Sequence, residues 1–421
     1  MLDINFIREN IDLVKKGAKD KGIKIDIAKL IKLDDQRRTL IKEFEGYKAE
    51  KNLNSKEIAK LAAKEKQKAI KKMQTIGAKE KQVSEKLAAV QEEFDQLMLQ
   101  VPQPASADTP LGKDDTENQV VRTWGKIPDL STTPKSHVEI GIDLDIIDIE
   151  RGVKVAGSRS YFLKGDGARL EMAMMLFTID HLHSKGFTLL TPPVIVNDEV
   201  MYNTGYYPGG EEDAYHLDRE PLSLIGTAEV PVTSYHSEEI LIEKNLPILY
   251  SGYSTCFRRE AGTYGKDTHG LYRLHQFQKV EQVVLCKNDL AESIKMHEFI
   301  TKNSEEIMQA LELPYRVVAV CTGDLGKGQY KKYDIEAWMP SRNAYGETHS
   351  SSIFLDFQAR RLRTRYKDSD GKIHYVHTLN NTALASPRTL IPFLEVHQQP
   401  DGSIKIPAAL VHYMGQTIIK K

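Results

Sequence analysis

The residues best placed to do chemistry in this 421-residue chain lie between positions 256 and 281. Cys256-Phe257-Arg258-Arg259-Glu260 follows an apolar stretch at 247–252. After a loop rich in Gly, Lys and His, Arg273-Leu-His-Gln-Phe277-Gln-Lys-Val-Glu281 begins a second such stretch. The pattern predicts a hairpin whose strands present arginine, aromatic and carboxylate groups at intervals of two and four, hence on one face. An arginine fork matches phosphate oxygens in pairs, a ring can lie on a purine, and a carboxylate can hold an ammonium. That set suits a nucleoside triphosphate beside an amino acid. The same residues would also make an ordinary charged hairpin, with cross-strand ion pairs of about 0.2–1 kcal/mol each.

Such a site needs a sheet to carry it. Beyond residue 110 the chain alternates apolar β-branched runs with helical stretches and glycine-bearing turns. Residues 248–250, 280–285, 316–321 and 353–357 read as strands, and 168–184 and 289–311 as helices. Without a regular βαβ period, these elements predict an α+β body on a mostly antiparallel sheet.

Residues 28–101 differ in kind. They contain no proline, and apolar residues recur at alternating steps of three and four. Leu30, Leu33, Leu40, Phe44, Tyr47, Ile58 and Leu61 form one seam, with Arg37, Lys51 and Asn54 in the intervening slots. Met73, Ile76, Val83, Leu87, Val90, Phe94, Leu97 and Val101 form another, interrupted by Glu80. A seam this narrow predicts an antiparallel coiled-coil hairpin. Its turn is expected at 62–72, where apolar material runs short, and limbs of roughly thirty residues would project about 45 Å. Nine lysines between Lys56 and Lys81 face only Glu57, Glu65 and Glu80. They read either as a solvated helical face or as a basic tip for a phosphate backbone. Three prolines in 101–110 predict a linker after the rod.

Lys plus Arg total 58 and Asp plus Glu 59, a net charge of −1 that excludes a wholly basic nucleic-acid coat protein. Cys256, Cys286 and Cys321 are far apart, which excludes a disulfide framework or a Cys-rich zinc ribbon. No apolar run approaches the ~18 residues that cross a bilayer, and the N-terminus has no apolar signal core. A cytoplasmic setting without membrane attachment is the expectation. Gly323-Asp-Leu-Gly326-Lys327-Gly328 lacks phosphate-loop spacing and reads as a turn. Tyr207-Pro-Gly-Gly210 with Glu211-Glu-Asp213 reads as a loop near the pocket.

Over essentially its full length the chain resembles bacterial-type seryl-tRNA synthetases, of class II of the aminoacyl-tRNA synthetases. Phe257-Arg258-Arg259-Glu260 with Arg273, Phe277 and Glu281 matches motif 2 of that class. Residues 185–193, Lys-Gly-Phe-Thr-Leu-Leu-Thr-Pro-Pro, match motif 1, and Arg388 in Ala385-Ser-Pro-Arg388-Thr-Leu matches the motif 3 arginine. Thr227-Ala228-Glu229, the loop 261–270, Asp356-Phe-Gln-Ala-Arg-Arg361 and His377-Thr-Leu-Asn380 match seryl-specific text.

The resemblance implies a tRNA-binding helical arm at 1–104 and a class II catalytic domain at 105–421. It implies serine–tRNA ligase activity using L-serine, ATP, Mg²⁺ and tRNA(Ser), and tRNA(Sec) where that tRNA exists, in a homodimer joined through motif 1. Zinc is not expected. Arg258 and Arg388 are the implied catalytic residues. Arg258, Arg259, Glu260, Arg273, Phe277, Arg388 and the segment Glu347, Thr348, His349 and Ser350 are the implied ATP ligands, with Mg²⁺ at Glu347 and Ser350. Thr227, Ala228, Glu229, Arg258, Glu281 and Thr382 are the implied serine ligands. His349 stands where the family has serine and reads as a packing residue. Asn381, Ala383 and Pro387 replace family glycines, so any left-handed backbone there would be strained at Ala383 and impossible at Pro387. Two other readings are a paralogue that binds tRNA without activating serine, and a ligase acting on a carrier protein.

Overall fold

The computed structural model describes residues 1–58, 62–129, 133–261 and 270–421. They form two compact units, Met1–Pro102 and Gln103–Lys421.

The first unit is helical: α1 (Ile4–Glu9), α2 (Ile11–Asp20), α3 (Ile27–Ile58) and α4 (Ala63–Gln100). At ~1.5 Å per residue the last two are about 48 and 57 Å long. They pack against each other along the expected seam, which is buried or half-buried at Leu30, Leu33, Arg37, Leu40, Phe44, Tyr47, Lys51 and Asn54. The two charged interruptions answer each other, with Lys51 Nζ 2.6 Å from Glu80 Oε2. The expected turn at 62–72 is corrected, because α4 already begins at Ala63. The Ala, Lys, Glu and Gln of that stretch are strong helix formers, and it has no Gly or Pro to stop a helix. Lys60 and Leu61 lie outside the described residues. At the base, Leu2, Ile7 and Val14 pack with Leu30, Phe94 and Met98. Beside them Asp34, wholly buried, meets Arg8, Arg37 and Arg38 at 2.9, 2.9 and 2.8 Å.

The second unit is built on a sheet of eight strands among the described residues. In chain order they are β1 (Gln119–Trp124), β2 (Thr188–Leu190), β3 (Ile248–Phe257), β4 (Gln276–Cys286), β5 (Tyr315–Ala319), β6 (Lys331–Met339), β7 (Ala344–Leu355) and β8 (His377–Ala385). In space the order is β1-β5-β6-β7-β8-β4-β3-β2, and every pairing is antiparallel except β2 with β3. The α+β expectation holds. Helices α5 (Asp166–Ser184), α7 (Leu290–Ala310) and α9 (Ser386–His397) share the main core with the sheet, while α6 (Glu229–Thr233) and α8 (Phe357–Leu362) flank the site. The strand expected to reach residue 357 stops at Leu355, and Phe357 opens α8.

Segment 103–110 is not a free linker. Gln103 N donates to Lys327 O at 2.9 Å, Ser106 N to Tyr330 O at 2.8 Å, and Pro110 O accepts from Thr322 N at 2.9 Å. Its prolines stop the preceding helix from continuing, and the residues between them supply the donors.

Candidate active site

Strand alternation decides what β4 shows to each side. Phe277, Lys279 and Glu281 face a cavity. Gln282 faces the other way, donating to Ile300 O at 3.0 Å and accepting from Asn303 at 2.8 Å, both on α7. The arginines depend on the loop between β3 and β4 instead. Arg258 lies one residue past β3 and Arg273 three before β4, so the expectation that alternation alone aligns them is corrected. Arg258 is fixed because its N donates to His275 O at 3.0 Å and its Nε to Gly226 O at 3.3 Å. Glu260 takes a left-handed backbone, φ 55°, and accepts from Arg273 at 3.2 Å. Residues 262–269 of the loop lie outside the described residues.

The cavity measures about 240 Å³. One end carries Arg258, whose guanidinium lies 5.5 Å from the centre of the Phe277 ring, together with Glu260, Tyr272, Glu347 and Arg388. Arg388 stands in the first turn of α9, 3.1 Å from Glu347 Oε2 and 4.8 Å from the Tyr272 ring centre. Burial opposes ionisation of Glu347, but Arg388, Lys332 and Arg258 outweigh it and hold the carboxyl below its ordinary range. This end can bind phosphates and a flat base.

The other end carries Glu229, Glu281, Lys279, Tyr206 and Thr382. Thr382 Oγ1 donates to Glu281 Oε2 at 3.3 Å. Glu229 accepts from Tyr206 Oη at 2.7 Å and from Gln358 at 2.8 Å; burial pushes its carboxyl up to about 7. Gly252 makes this end possible. A Cβ there would stand 2.8 Å from Ala228 Cβ and 2.9 Å from Val232 Cγ2, so only glycine lets the segment bearing Glu229 lie on β3. Ala228 is thus a packing residue. Thr227 is buried too, its Oγ1 accepting from Glu229 N at 3.2 Å.

Among the sequence-expected residues the cavity gathers Arg258, Glu260, Phe277, Glu347, Thr348, Ser350, Arg388, Glu229, Glu281 and Thr382. Arg259, Arg273, Thr227, Ala228 and His349 are not on its wall. For His349 the cause is a bulge. Register shifts between β6 and β7, so that Ile335 faces His349 while Glu336 faces Glu347, and Thr348 is the extra residue. Glu347, Ser350 and Ser352 therefore face the cavity while His349 is buried behind them, its Nδ1 2.7 Å from Thr348 Oγ1. Burial pushes its imidazole down to about 4. Sequence reading missed Tyr206, Tyr272, Lys279, Gln329, Lys332 and Asn380 on the wall. Lys279, midway between Phe277 and Glu281, and Asn380, two before Thr382, were within reach of the alternation rule.

Residues 1–104 match the seryl-tRNA synthetase N-terminal domain, and 215–397 match the tRNA synthetase class II core domain (G, H, P, S and T). The serine–tRNA ligase of Deinococcus radiodurans is 44% identical over 415 residues, covering 99% of this chain and 98% of that protein. The chain belongs to the seryl-tRNA synthetase family. The serine–tRNA ligase of Trichlorobacter lovleyi is 47% identical over 418 residues, with 99% and 98% covered. The crystal structure of seryl-tRNA synthetase from Pyrococcus horikoshii complexed with ATP superposes with a TM-score of 0.91 at 39% identity, covering 100% of this chain and 99% of that one. The cytoplasmic enzyme of Naegleria fowleri in complex with AMP gives 0.88 at 32%, with the same coverage. This chain is accordingly an ATP-dependent aminoacyl-tRNA synthetase, a serine–tRNA ligase.

The synthetase carries its unusual motif 3 without strain. Asn380 to Ala385 continue β8, and none of them has a positive φ. Asn381 joins a buried network, accepting from Gln282 at 2.6 Å and donating to Ser350 O at 3.1 Å. Pro387 sits in the first turn of α9, where no N–H is required. The expected strain at Ala383 and Pro387 is thereby corrected.

Glu347 and Ser350 fit a hard cation as carboxylate and hydroxyl oxygens on one face of β7. Behind them on β6, Asp334 Oδ1 is buried without a hydrogen-bond partner and feels the Glu347 charge. Among the described residues no cluster of three or more His, Cys, Asp or Glu could hold a metal alone. A cation here would therefore complete its shell with substrate and water oxygens. Among the described residues no helix is long and apolar enough to cross a membrane.

Proposed function

We propose that serine and ATP lie end to end in this cavity, with the serine carboxylate beside Arg258. The observation that carries the reading is that one small cavity joins Arg258, Phe277 and Arg388 to Glu281, Thr382 and Glu229. Phe277 and Arg388 enclose the adenine, with Glu260 near its amino group. Arg258 spans the α-phosphate and the serine carboxylate. Glu281 takes the ammonium and, with Thr382 and Glu229, surrounds the hydroxyl. Arg273, held off the wall by Glu260, swings in to meet the outer phosphate. A serine carboxylate oxygen bonds to the α-phosphorus as the bond to pyrophosphate breaks, and the terminal ribose hydroxyl of tRNA then displaces AMP from the seryl carbonyl. No protein nucleophile is needed; catalysis is positioning plus neutralised charge. Mg²⁺ at Glu347 and Ser350 would supply charge neutralisation on the phosphates.

A pocket that pairs the serine hydroxyl rejects alanine, because its buried polar groups would be left unpaired. Residues 1–104 are the arm for tRNA(Ser), and for tRNA(Sec) where present, with residues 105–421 as the catalytic domain. The enzyme works as a cytoplasmic homodimer joined through motif 1. The deciding experiment is serine-dependent exchange of labelled pyrophosphate into ATP. Exchange with another amino acid and none with serine overturns the assignment.

A further inference from the structure

The amine of Lys279 lies inside the serine end of the cavity, and the reaction just outlined gives it no part. Its side chain leaves β4 between Phe277 and Glu281, and the residue keeps only 4% of its exposure. Lys279 Nζ stands 2.6 Å from Glu281 Oε2, the same oxygen that Thr382 Oγ1 approaches at 3.3 Å from β8. One oxygen of the carboxylate is therefore gripped from two adjacent strands. Among the described residues no donor holds the other, Oε1.

We propose that Lys279 is a positioning residue for serine: it locks Oε2 of Glu281 so that Oε1 is presented to the ammonium and hydroxyl of the amino acid. The proposal rests on the serine site described above. Two facts give the lock its purpose. Glu229 and Glu281 both face this end, and without an internal cation the ammonium would be shared between two carboxylates with no fixed geometry. The nearby Arg258 is committed elsewhere, its Nε donating to Gly226 O and its other N–H groups serving the α-phosphate and the serine carboxylate in that site. A buried amine paired to one oxygen also resists rotation of the carboxylate, since turning it would strand a charge away from water. Lys279 touches Glu281 and need not touch the substrate, so its effect belongs to serine recognition rather than to ATP.

The test is steady-state pyrophosphate exchange by the full chain. Wild type must first show serine dependence; its absence would sink the site assignment itself, not the role of Lys279. Given that dependence, Lys279→Met is expected to raise the serine KM by about 30-fold while the ATP KM stays within about twofold. Lys279→Arg, which keeps charge and reach, should recover most of the loss. Lys279→Gln should show the same split at about tenfold and serves where the methionine variant does not fold. Because Lys279 acts through Glu281, combining Lys279→Met with Glu281→Gln should lose no more than Glu281→Gln alone. An unchanged serine KM in the Met and Gln variants, equal losses for serine and ATP, or full additivity in the double variant overturns the proposal.

Discussion

Asp34 in the helical unit and Glu281 in the catalytic unit are both carboxylates withdrawn from water, yet their surroundings differ. Asp34 is met by three arginines, two on its own helix and one from α1, and both its oxygens are engaged. Glu281 is met by one lysine and one hydroxyl, both on a single oxygen. The first carboxylate is saturated by its own chain and joins helices. The second is left one partner short, which is the condition for gripping something that arrives from outside. A buried charge with spare valence is costly to a fold and is retained where a ligand completes it.

Several measurements can break that contrast. Arg258→Ala should reduce serine-dependent exchange by about a thousandfold or more, with a change in unfolding free energy of less than about 1 kcal/mol. Retained exchange would show that the guanidinium is not the phosphate clamp. Removing residues 30–100 should lower tRNA charging by about a hundredfold, leave adenylate formation within about threefold, and abolish the salt dependence of tRNA binding. Equal charging by the shortened chain would reduce the hairpin to a spacer. Asp34→Asn should destabilise the helical unit by about 3 kcal/mol in denaturant titration, since it leaves three guanidinium groups short of their counter-charge, and exchange should persist.

A pH series sharpens the picture for Glu229. Its folded value, about 7, stands above the ordinary 4.5, so the folded chain holds a proton that the unfolded chain releases. That contribution to stability is therefore full below about 4.5 and is lost as pH rises towards about 7. Glu229→Gln should gain on wild type by up to about 3 kcal/mol between pH 5 and 8. A gap independent of pH would place the proton elsewhere. The smallest effect is expected for His349→Ser, with exchange within about threefold of wild type, because the ring is on the core side of β7. A large rise in ATP KM would return it to the site.

How much was legible in the sequence follows the same division. In α3 and α4 the three-four spacing of apolar residues translated directly into the buried seam, and even the misfits Lys51 and Glu80 proved to be partners. The turn was misplaced because scarcity of apolar side chains does not stop a helix made of Ala, Lys and Glu. In the catalytic unit, alternation sufficed for Phe277 and Glu281. Arg258 and Arg273 lie beyond the strand ends, where loop geometry governs. Lys332 reaches the cavity from β6, about fifteen residues before Glu347 in sequence but in the neighbouring strand, and no local pattern signals that. The worry over missing glycines in motif 3 dissolved because the segment is plain strand, where side chains are accommodated.

The extra residue at Thr348 has a consequence for how this enzyme can be altered. A strand has two sides, and a single additional link in the chain decides which side each later residue takes. Strict alternation counted through residue 348 would put His349 and Ser351 on the cavity side with Glu347; because the bulge absorbs that residue, Ser350 and Ser352 stand there instead. Deleting residue 348 would therefore leave Glu347, Ser350 and Ser352 side by side on the wall and remove only the kink and the Thr348 side chain.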